Sequence, residues 1–142
     1  MQIHRRKTKK YLSQQQLLFK KNGWIQHLIL NEDPSHYPAG INIHTHGLST
    51  NFNHRDIQIC LPIRPELASS ILAQMVENIK AGTKYEPGNS YEGVLSGGYK
   101  IGIINSVESG RAVLRVIIPD ENGTLEDPRY ANQLTLIRPP LP

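Results

Sequence analysis

Hydrophobic and polar positions follow two different periods in the first half of the chain. Residues 8–22 carry apolar side chains at helical spacing and end before Gly23, which predicts a helix. Residues 24–30 form an apolar run that predicts a strand. Residues 39–46 and 55–61 alternate between apolar and polar side chains, as half-buried strands do. The polar residues 47–54 between them predict a hairpin with an eight-residue connection.

The clearest helical pattern covers residues 65–81. Pro65 is placed at the first helical position, where its missing N–H is no loss, and Gly82 follows the last turn. The apolar stripe of this helix consists of Leu67, Ile71, Leu72, Met75, Val76 and Ile79. Residues 99–107 and 111–118 predict a second hairpin, and residues 132–138 predict a last strand. Two main helices with consecutive strands indicate one α+β domain with a mostly antiparallel sheet.

Length and charge divide the chain into a body and an arm. At 142 residues, a single domain buries enough surface to be stable without a disulfide or a structural metal. Residues 1–21 carry seven basic groups and no acidic one, whereas the remainder carries nine basic and twelve acidic groups. We therefore expect a basic arm over residues 1–10, a domain over residues 11–138 and a tail over residues 139–142. Nucleic-acid binding would be confined to the arm, because the body is mildly acidic.

Cysteine content and the lengths of apolar runs bear on the compartment. Cys60 is the only cysteine, so no internal disulfide is possible. No apolar run approaches the roughly 20 residues that a membrane-spanning helix needs. The basic N-terminal residues are not followed by the apolar region of a signal peptide. We expect a cytoplasmic protein without a membrane partner, and association into a homo-oligomer is compatible with the sequence.

The densest cluster of chemically active side chains lies at the predicted hairpin. His44 and His46 share one face of a strand, about 7 Å apart at the backbone, so both imidazoles can converge on one cation. His54 lies at the far end of the connection and is the candidate third ligand. Asp56 is either a fourth ligand or the acceptor that fixes an imidazole tautomer. The cofactor expected at such a site is zinc or another divalent metal, and the alternative is a polar sheet face with hydrogen-bonded histidines.

The same histidines also suggest a site for an anion. Arg111 and Arg115 share one face of the strand predicted over residues 111–118. A guanidinium offers a planar pair of donors to phosphate or carboxylate, so Arg115 is a candidate ligand-binding residue beside His44, His46, His54 and Asp56. This hypothesis requires the strands that carry these residues to be neighbours. The alternative is that Arg115 pairs with a surface carboxylate.

Two segments near the histidines resemble a bacterial family known only as domain-of-unknown-function family number 4262. Residues 44–48 (HTHGL) are similar to its first motif through Thr45, Gly47 and Leu48. Residues 53–57 (NHRDI) are similar to its second motif through His54, and the turn at residues 119–123 (PDENG) is similar to its late Pro-Asp-x-x-Gly element.

The chain departs from the pattern of that family at several of these positions. His44 replaces an aromatic residue, and Arg55 and Asp56 replace Pro and Glu, so the chain is identified as a divergent member. The resemblance implies a small cytoplasmic domain and draws attention to His54, but it implies no activity.

The sequence leads to three functional hypotheses. The first is binding of a small anionic metabolite, such as a nucleotide, without turnover. The second is a metal-dependent hydrolase that uses His44, His46 and His54 around an activated water. The third is an interaction protein, for example an immunity or counter-defence factor. The sequence leaves open whether the protein is an enzyme.

Overall fold

The computed structural model describes residues 9–31 and 40–125. Its elements are α1 (Lys9–Asn22), β1 (Ile25–Asn31), β2 (Gly40–His46), α2 (Leu48–Asn51), β3 (Ile57–Leu61), α3 (Pro65–Lys80), β4 (Ser90–Tyr91), a 3₁₀ turn (Ser96–Gly98), β5 (Ile101–Glu108) and β6 (Arg111–Ile117). The strand predicted over residues 132–138, the tail and most of the arm lie outside the described residues.

The strands form one six-stranded sheet in the order β1-β2-β3-β6-β5-β4. Every neighbouring pair is antiparallel except β3 and β6, which run parallel. The two predicted hairpins are confirmed, because β2 pairs with β3 and β5 pairs with β6. The fold is therefore the expected α+β class, with a mostly antiparallel sheet and two substantial helices.

The connection between β2 and β3 differs from the prediction. The pattern predicts a polar loop, but the connection contains the short helix α2. The first residue of this helix, Leu48, is completely buried. The chain enters α2 through Gly47, whose φ of 107° lies in the range that favours glycine. A single buried leucine in a polar segment has no periodicity, so the pattern could not predict this helix.

Helix α3 packs on one face of the sheet and builds the core. Its buried side chains are Ala68, Ile71, Leu72, Met75, Val76 and Ile79. They contact an apolar sheet face that includes Leu28, Ile43 and Ile59, which the strand register places side by side. Leu67, predicted to belong to the apolar stripe, is 44% exposed, so Ala68 takes the buried place at the start of the helix.

The opposite face of the sheet carries a row of polar side chains, three of which are completely buried. The register aligns His27 with His44, His44 with Gln58, and Gln58 with Arg115, so these side chains form one row across four strands. His44, Gln58 and Arg115 have no exposed surface. Burial of so many polar groups is favourable only if they satisfy one another or a ligand, which makes this face the candidate site. We call it the histidine face.

The hairpin between β5 and β6 brings two further charged residues to this face. Ser109 and Gly110 both have positive φ values, 48° and 81°, as a two-residue turn between twisted strands requires. Glu108 and Arg111 therefore stand directly opposite each other in the ladder.

Candidate functional site

Three histidines meet on the histidine face. His27 on β1 lies opposite His44 on β2, and His46 follows two residues later on the same side of the strand. The ring centroids of His27 and His44 are 4.9 Å apart, those of His44 and His46 are 5.0 Å apart, and those of His27 and His46 are 5.7 Å apart. Each ring offers one nitrogen, and these three nitrogens all lie within 4.8 Å of one another. We call these residues the histidine cluster.

His27 is the member of this cluster that the sequence prediction missed. It lies inside the apolar run of residues 24–30, where a single histidine suggests only a half-buried strand position. The signal that would have found it is the order of the strands. Consecutive strands commonly pair, and an antiparallel β1–β2 pair in this register sets His27 beside His44.

His54 is not brought to the cluster. Its Nδ1 donates to the carbonyl oxygen of Arg55 at 2.7 Å, and its Nε2 accepts the backbone N–H of Tyr85 at 3.0 Å. Both ring nitrogens are thus occupied by backbone groups, which leaves none for a metal. These contacts do not match the prediction of His54 as a third ligand. His54 fixes the segment after α3, and the histidine that lies beside His44 and His46 is His27.

Asp56 is buried beneath α2 and acts as an anchor. Its Oδ1 accepts hydrogen bonds from Thr45 Oγ1 at 2.7 Å and from the backbone N–H of Leu48 at 3.1 Å. Its Oδ2 accepts from Ser49 Oγ at 3.2 Å and from Arg111 Nη1 at 2.9 Å. Four donors use the acceptor capacity of one carboxylate, so Asp56 ties the end of β2 to α2 and β6. The predicted roles of Asp56 as a metal ligand or as an imidazole acceptor do not match these contacts.

Arg111 connects that anchor to the histidine cluster. Besides Asp56, it donates from Nε to Glu108 Oε1 at 2.9 Å and from Nη2 to the carbonyl oxygen of Thr45 at 2.7 Å. Its guanidinium is held on two carboxylates and a carbonyl. Glu108 is fixed by this contact with Oε1 at 3.4 Å from Nε2 of His44. Glu108 is thus a second residue of the site that the sequence analysis did not select.

Arg115 lies on the histidine face, but β3 separates its strand, β6, from the strand β2 that carries His44 and His46, so the strands are not the neighbours that the anion hypothesis requires. Arg115 is instead part of a buried chain of amides. Its Nε donates to Gln58 Oε1 at 3.1 Å, and Gln58 Nε2 donates to Asn42 Oδ1 at 3.0 Å. The same Asn42 oxygen lies 3.1 Å from Nδ1 of His44. A buried arginine is therefore linked to the histidine cluster through two amide side chains, and it does not present its guanidinium at the surface.

Burial decides the charge states around the cluster. Burial lowers the pKa of His44 to about 3, against the opposing effect of Glu108. The pKa of His46 is lowered by burial and by the nearby Arg111. Burial alone would raise the pKa of Glu108, but the hydrogen bond from Ser109, the electrostatic interaction with His44 and the contact with Arg111 together hold that pKa below its usual value. At neutral pH, His44 and His46 are therefore uncharged imidazoles, and the carboxylate beside them is ionised.

Comparisons with known proteins add no relative to this description. No family model, no curated protein and no solved structure matches the chain. The resemblance to family number 4262 accordingly stays a prediction.

Within residues 9–31 and 40–125, none of the helices combines the length and apolar character needed to cross a bilayer.

Proposed function

We propose that this protein binds one divalent metal ion of the zinc class through His27, His44 and His46. The observation that carries the proposal is the meeting of three imidazole nitrogens within 4.8 Å on a buried sheet face. Neutral imidazole is a ligand for Zn²⁺, Cu²⁺, Ni²⁺ and Fe²⁺, whereas Mg²⁺ and Ca²⁺ prefer oxygen. The donor set therefore favours a transition metal.

The spacing of the ligand atoms is compatible with tetrahedral coordination. With bonds of about 2.0–2.1 Å, the ligand atoms of a tetrahedral zinc stand about 3.3–3.4 Å apart. Because no two of the three nitrogens are more than 4.8 Å apart, reaching that spacing needs a shift of at most about 1.5 Å for any pair. His27 and His46 are only half-buried, so rotation of their rings can supply the shift.

Glu108 supports the site from the side of β5. The 3.4 Å between its Oε1 and Nε2 of His44 equals the edge of such a tetrahedron. An ionised carboxylate there would offset part of the charge of a divalent cation, either as a direct ligand or through a bound water. Arg111 fixes the position of this carboxylate through a hydrogen bond to Oε1. That hydrogen bond could persist with the metal bound, because a carboxylate oxygen has a second lone pair.

The anion-binding hypothesis has less support on the same face. Arg111 already donates to Glu108, Asp56 and Thr45, and Arg115 is buried against Gln58. An anion would have to compete with two carboxylates for the donors of Arg111 and with an amide oxygen for that of Arg115. The hydrolase hypothesis depends on metal binding first, since the proposed metal would supply the Lewis acid for its water.

Metal titration of the chelator-treated full chain tests the proposal. We expect one Zn²⁺ per chain by calorimetry, and a visible spectrum of tetrahedral Co²⁺ on substitution with cobalt. Loss of a residue that only contacts a metal ligand commonly weakens metal binding about 10–100-fold, so His46→Ala, which removes a ligand, should weaken it by at least about 100-fold. His46 is half-buried, so this variant should disturb the fold less than His44→Ala, which would truncate a fully buried side chain.

The matched control is His54→Ala, which removes an imidazole whose nitrogens both bind backbone groups. This variant should bind zinc as the unaltered chain does. The proposal is overturned if the chain binds no transition metal, or if His54→Ala loses the metal while His46→Ala keeps it.

A further inference from the structure

Four side chains on the histidine face form an unbroken line of hydrogen bonds that ends at the histidine cluster. The line runs from Arg115 Nε to Gln58 Oε1 at 3.1 Å, from Gln58 Nε2 to Asn42 Oδ1 at 3.0 Å, and from that oxygen to His44 Nδ1 at 3.1 Å. It crosses three strands, β6, β3 and β2, because the register sets Gln58 beside both Arg115 and His44. We call it the amide relay.

The direction of every bond in the relay follows from one residue. A guanidinium donates and cannot accept, so Gln58 must present its oxygen to Arg115. The Gln58 amide nitrogen then faces Asn42 and donates, so Asn42 presents its oxygen. That oxygen can only accept, and therefore Nδ1 of His44 carries the proton.

We infer that Arg115, acting through Gln58 and Asn42, fixes His44 in the Nδ1-protonated tautomer and so presents the lone pair of Nε2 to the metal. His44, Gln58 and Arg115 are fully buried and Asn42 is 8% exposed, so bulk water has little access to reverse these bonds. Arg115, Gln58 and Asn42 are positioning residues, since none of them would touch the ion.

The other side of the His44 ring shows what the Nδ1-protonated tautomer would offer to a cation. Among the described residues, Nε2 of His44 has no hydrogen-bond partner, although it is completely buried. Its neighbour at 3.4 Å is Oε1 of Glu108, which accepts from Arg111. With Nδ1 protonated, Nε2 is a lone pair that faces a carboxylate oxygen, and a cation bound by both atoms would satisfy these two acceptors. The relay thus leaves the Nε2 lone pair available to the proposed metal.

The functional part of this inference rests on the proposed metal site, but the tautomer is measurable without metal. We would record ¹⁵N spectra of the histidine rings in the metal-free full chain at neutral pH. The expected result is a protonated, pyrrole-type Nδ1 and an unprotonated, pyridine-type Nε2 for His44. A protonated Nε2 on His44 would overturn the relay.

Gln58→Glu is the variant that separates a directional role from a structural one. The new carboxylate can only accept, so Asn42 must turn its amide nitrogen toward it and toward Nδ1 of His44. We expect the His44 proton to move to Nε2 and the zinc affinity to fall about 10–100-fold, as for other residues that orient a ligand. Arg115→Lys keeps a residue that only donates, and it should retain the original tautomer.

Gln74→Glu provides a matched control on the exposed surface of α3. Gln74 also donates to an asparagine, Asn78 Oδ1, at 3.0 Å, but it is remote from the histidine face. This variant should change neither the His44 tautomer nor the zinc affinity. An unchanged His44 tautomer in folded Gln58→Glu would contradict the inference. Should that variant fail to fold, the tautomers of the unaltered chain and of Arg115→Lys decide.

The two proposals fail in distinguishable ways. If His44 is protonated at Nδ1 but the chain binds no transition metal, the relay stands and the proposed metal function fails. If zinc binds through the histidine cluster but metal-free His44 is protonated at Nε2, the metal function stands and the relay fails.

Discussion

His27 and His44 stand directly opposite each other on antiparallel strands, with ring centroids 4.9 Å apart. Two imidazoles this close cannot both be protonated without strong repulsion, and His27 contributes, after burial, to the lowered pKa of His44. The arrangement is therefore stable either as neutral rings or around a shared cation.

Zinc should stabilise the folded chain by an amount that rises with the logarithm of the free zinc concentration above Kd. At a free zinc concentration of 100 times Kd, ligand linkage predicts a gain of about 2.7 kcal/mol in the free energy of unfolding. Thermal or urea unfolding with and without the metal would measure this gain. It should disappear on addition of a chelator and in His46→Ala. Equal stabilisation of the unaltered protein and of His46→Ala by zinc would contradict the assignment of the ligands.

Removal of the Asp56 carboxylate should weaken the fold more than most surface changes do. Asp56→Ala leaves Arg111 Nη1 and three neutral donors without their acceptor, while Arg111 keeps its contacts with Glu108 and Thr45, so we expect a loss of about 1–3 kcal/mol. Asp56→Asn keeps one acceptor oxygen for Thr45 and Leu48, and should lose less. Urea unfolding of both variants measures the difference. A loss below about 1 kcal/mol in Asp56→Ala would contradict the anchoring role, since a single net hydrogen bond contributes that much.

His54→Ala should destabilise the segment after α3 without affecting the histidine cluster. The backbone N–H of Tyr85 loses its acceptor in a buried position, which costs about 1–3 kcal/mol. Hydrogen exchange should show the Tyr85 amide losing protection before the amides of β2. Unchanged stability together with unchanged exchange at Tyr85 would show that His54 does not hold this segment.

Gly47 and Gly82 allow a comparison of a crowded and an uncrowded glycine with the same backbone conformation. Both have a φ near 110°, so alanine is strained at either position. A Cβ at Gly47 would meet the carbonyl oxygen of Gly23 at 2.5 Å and the Phe19 ring at 2.9 Å, whereas a Cβ at Gly82 would meet nothing within 4 Å. Gly47→Ala should therefore lose about 1–3 kcal/mol more than Gly82→Ala, through overpacking. Equal losses of unfolding free energy in the two variants would mean that Gly23 and Phe19 can move aside without cost.

The thiol of Cys60 should be unreactive in the folded protein. Burial raises its pKa from 9.0 to about 12, with Arg115 favouring the thiolate and Glu108 opposing it. Only the thiolate attacks disulfide reagents, so labelling at pH 8 should be slow until urea unfolds the chain. Rapid labelling of the native protein at that pH would contradict the burial of Cys60.

The same shift predicts a loss of stability at alkaline pH. Below pH 9 the thiol is protonated in both the folded and the unfolded chain, so it contributes no pH dependence. Between pH 9 and about 12 the unfolded chain releases this proton and the folded chain does not, so unfolding becomes more favourable as pH rises. Cys60→Ala isolates the effect from other groups, because its stability should fall less over this range.

The periodic parts of the fold could be predicted from the sequence. Helix α3 shows a stripe at helical spacing, and the strands of both hairpins show alternation or apolar runs bounded by turn residues. Local patterns of this kind depend only on neighbours along the chain. Helix α2 has a single buried leucine and no pattern, so periodicity could not predict it. In α3, Ala68 is the residue that fits the i, i+3, i+4 spacing of the other buried side chains, whereas Leu67, predicted to be buried because it is hydrophobic, is exposed.

By itself, the sequence determined the α+β class, the alternation of β2, and the presence of His44 and His46 on one face of a strand. Only the tertiary structure decided that His27 joins them and that His54 does not. The reason is that the period of a strand fixes which side a residue takes, whereas its cross-strand neighbour depends on strand order and register. The amide relay depends on the same register, because Arg115, Gln58 and His44 are far apart in sequence and become a line only when their strands pair.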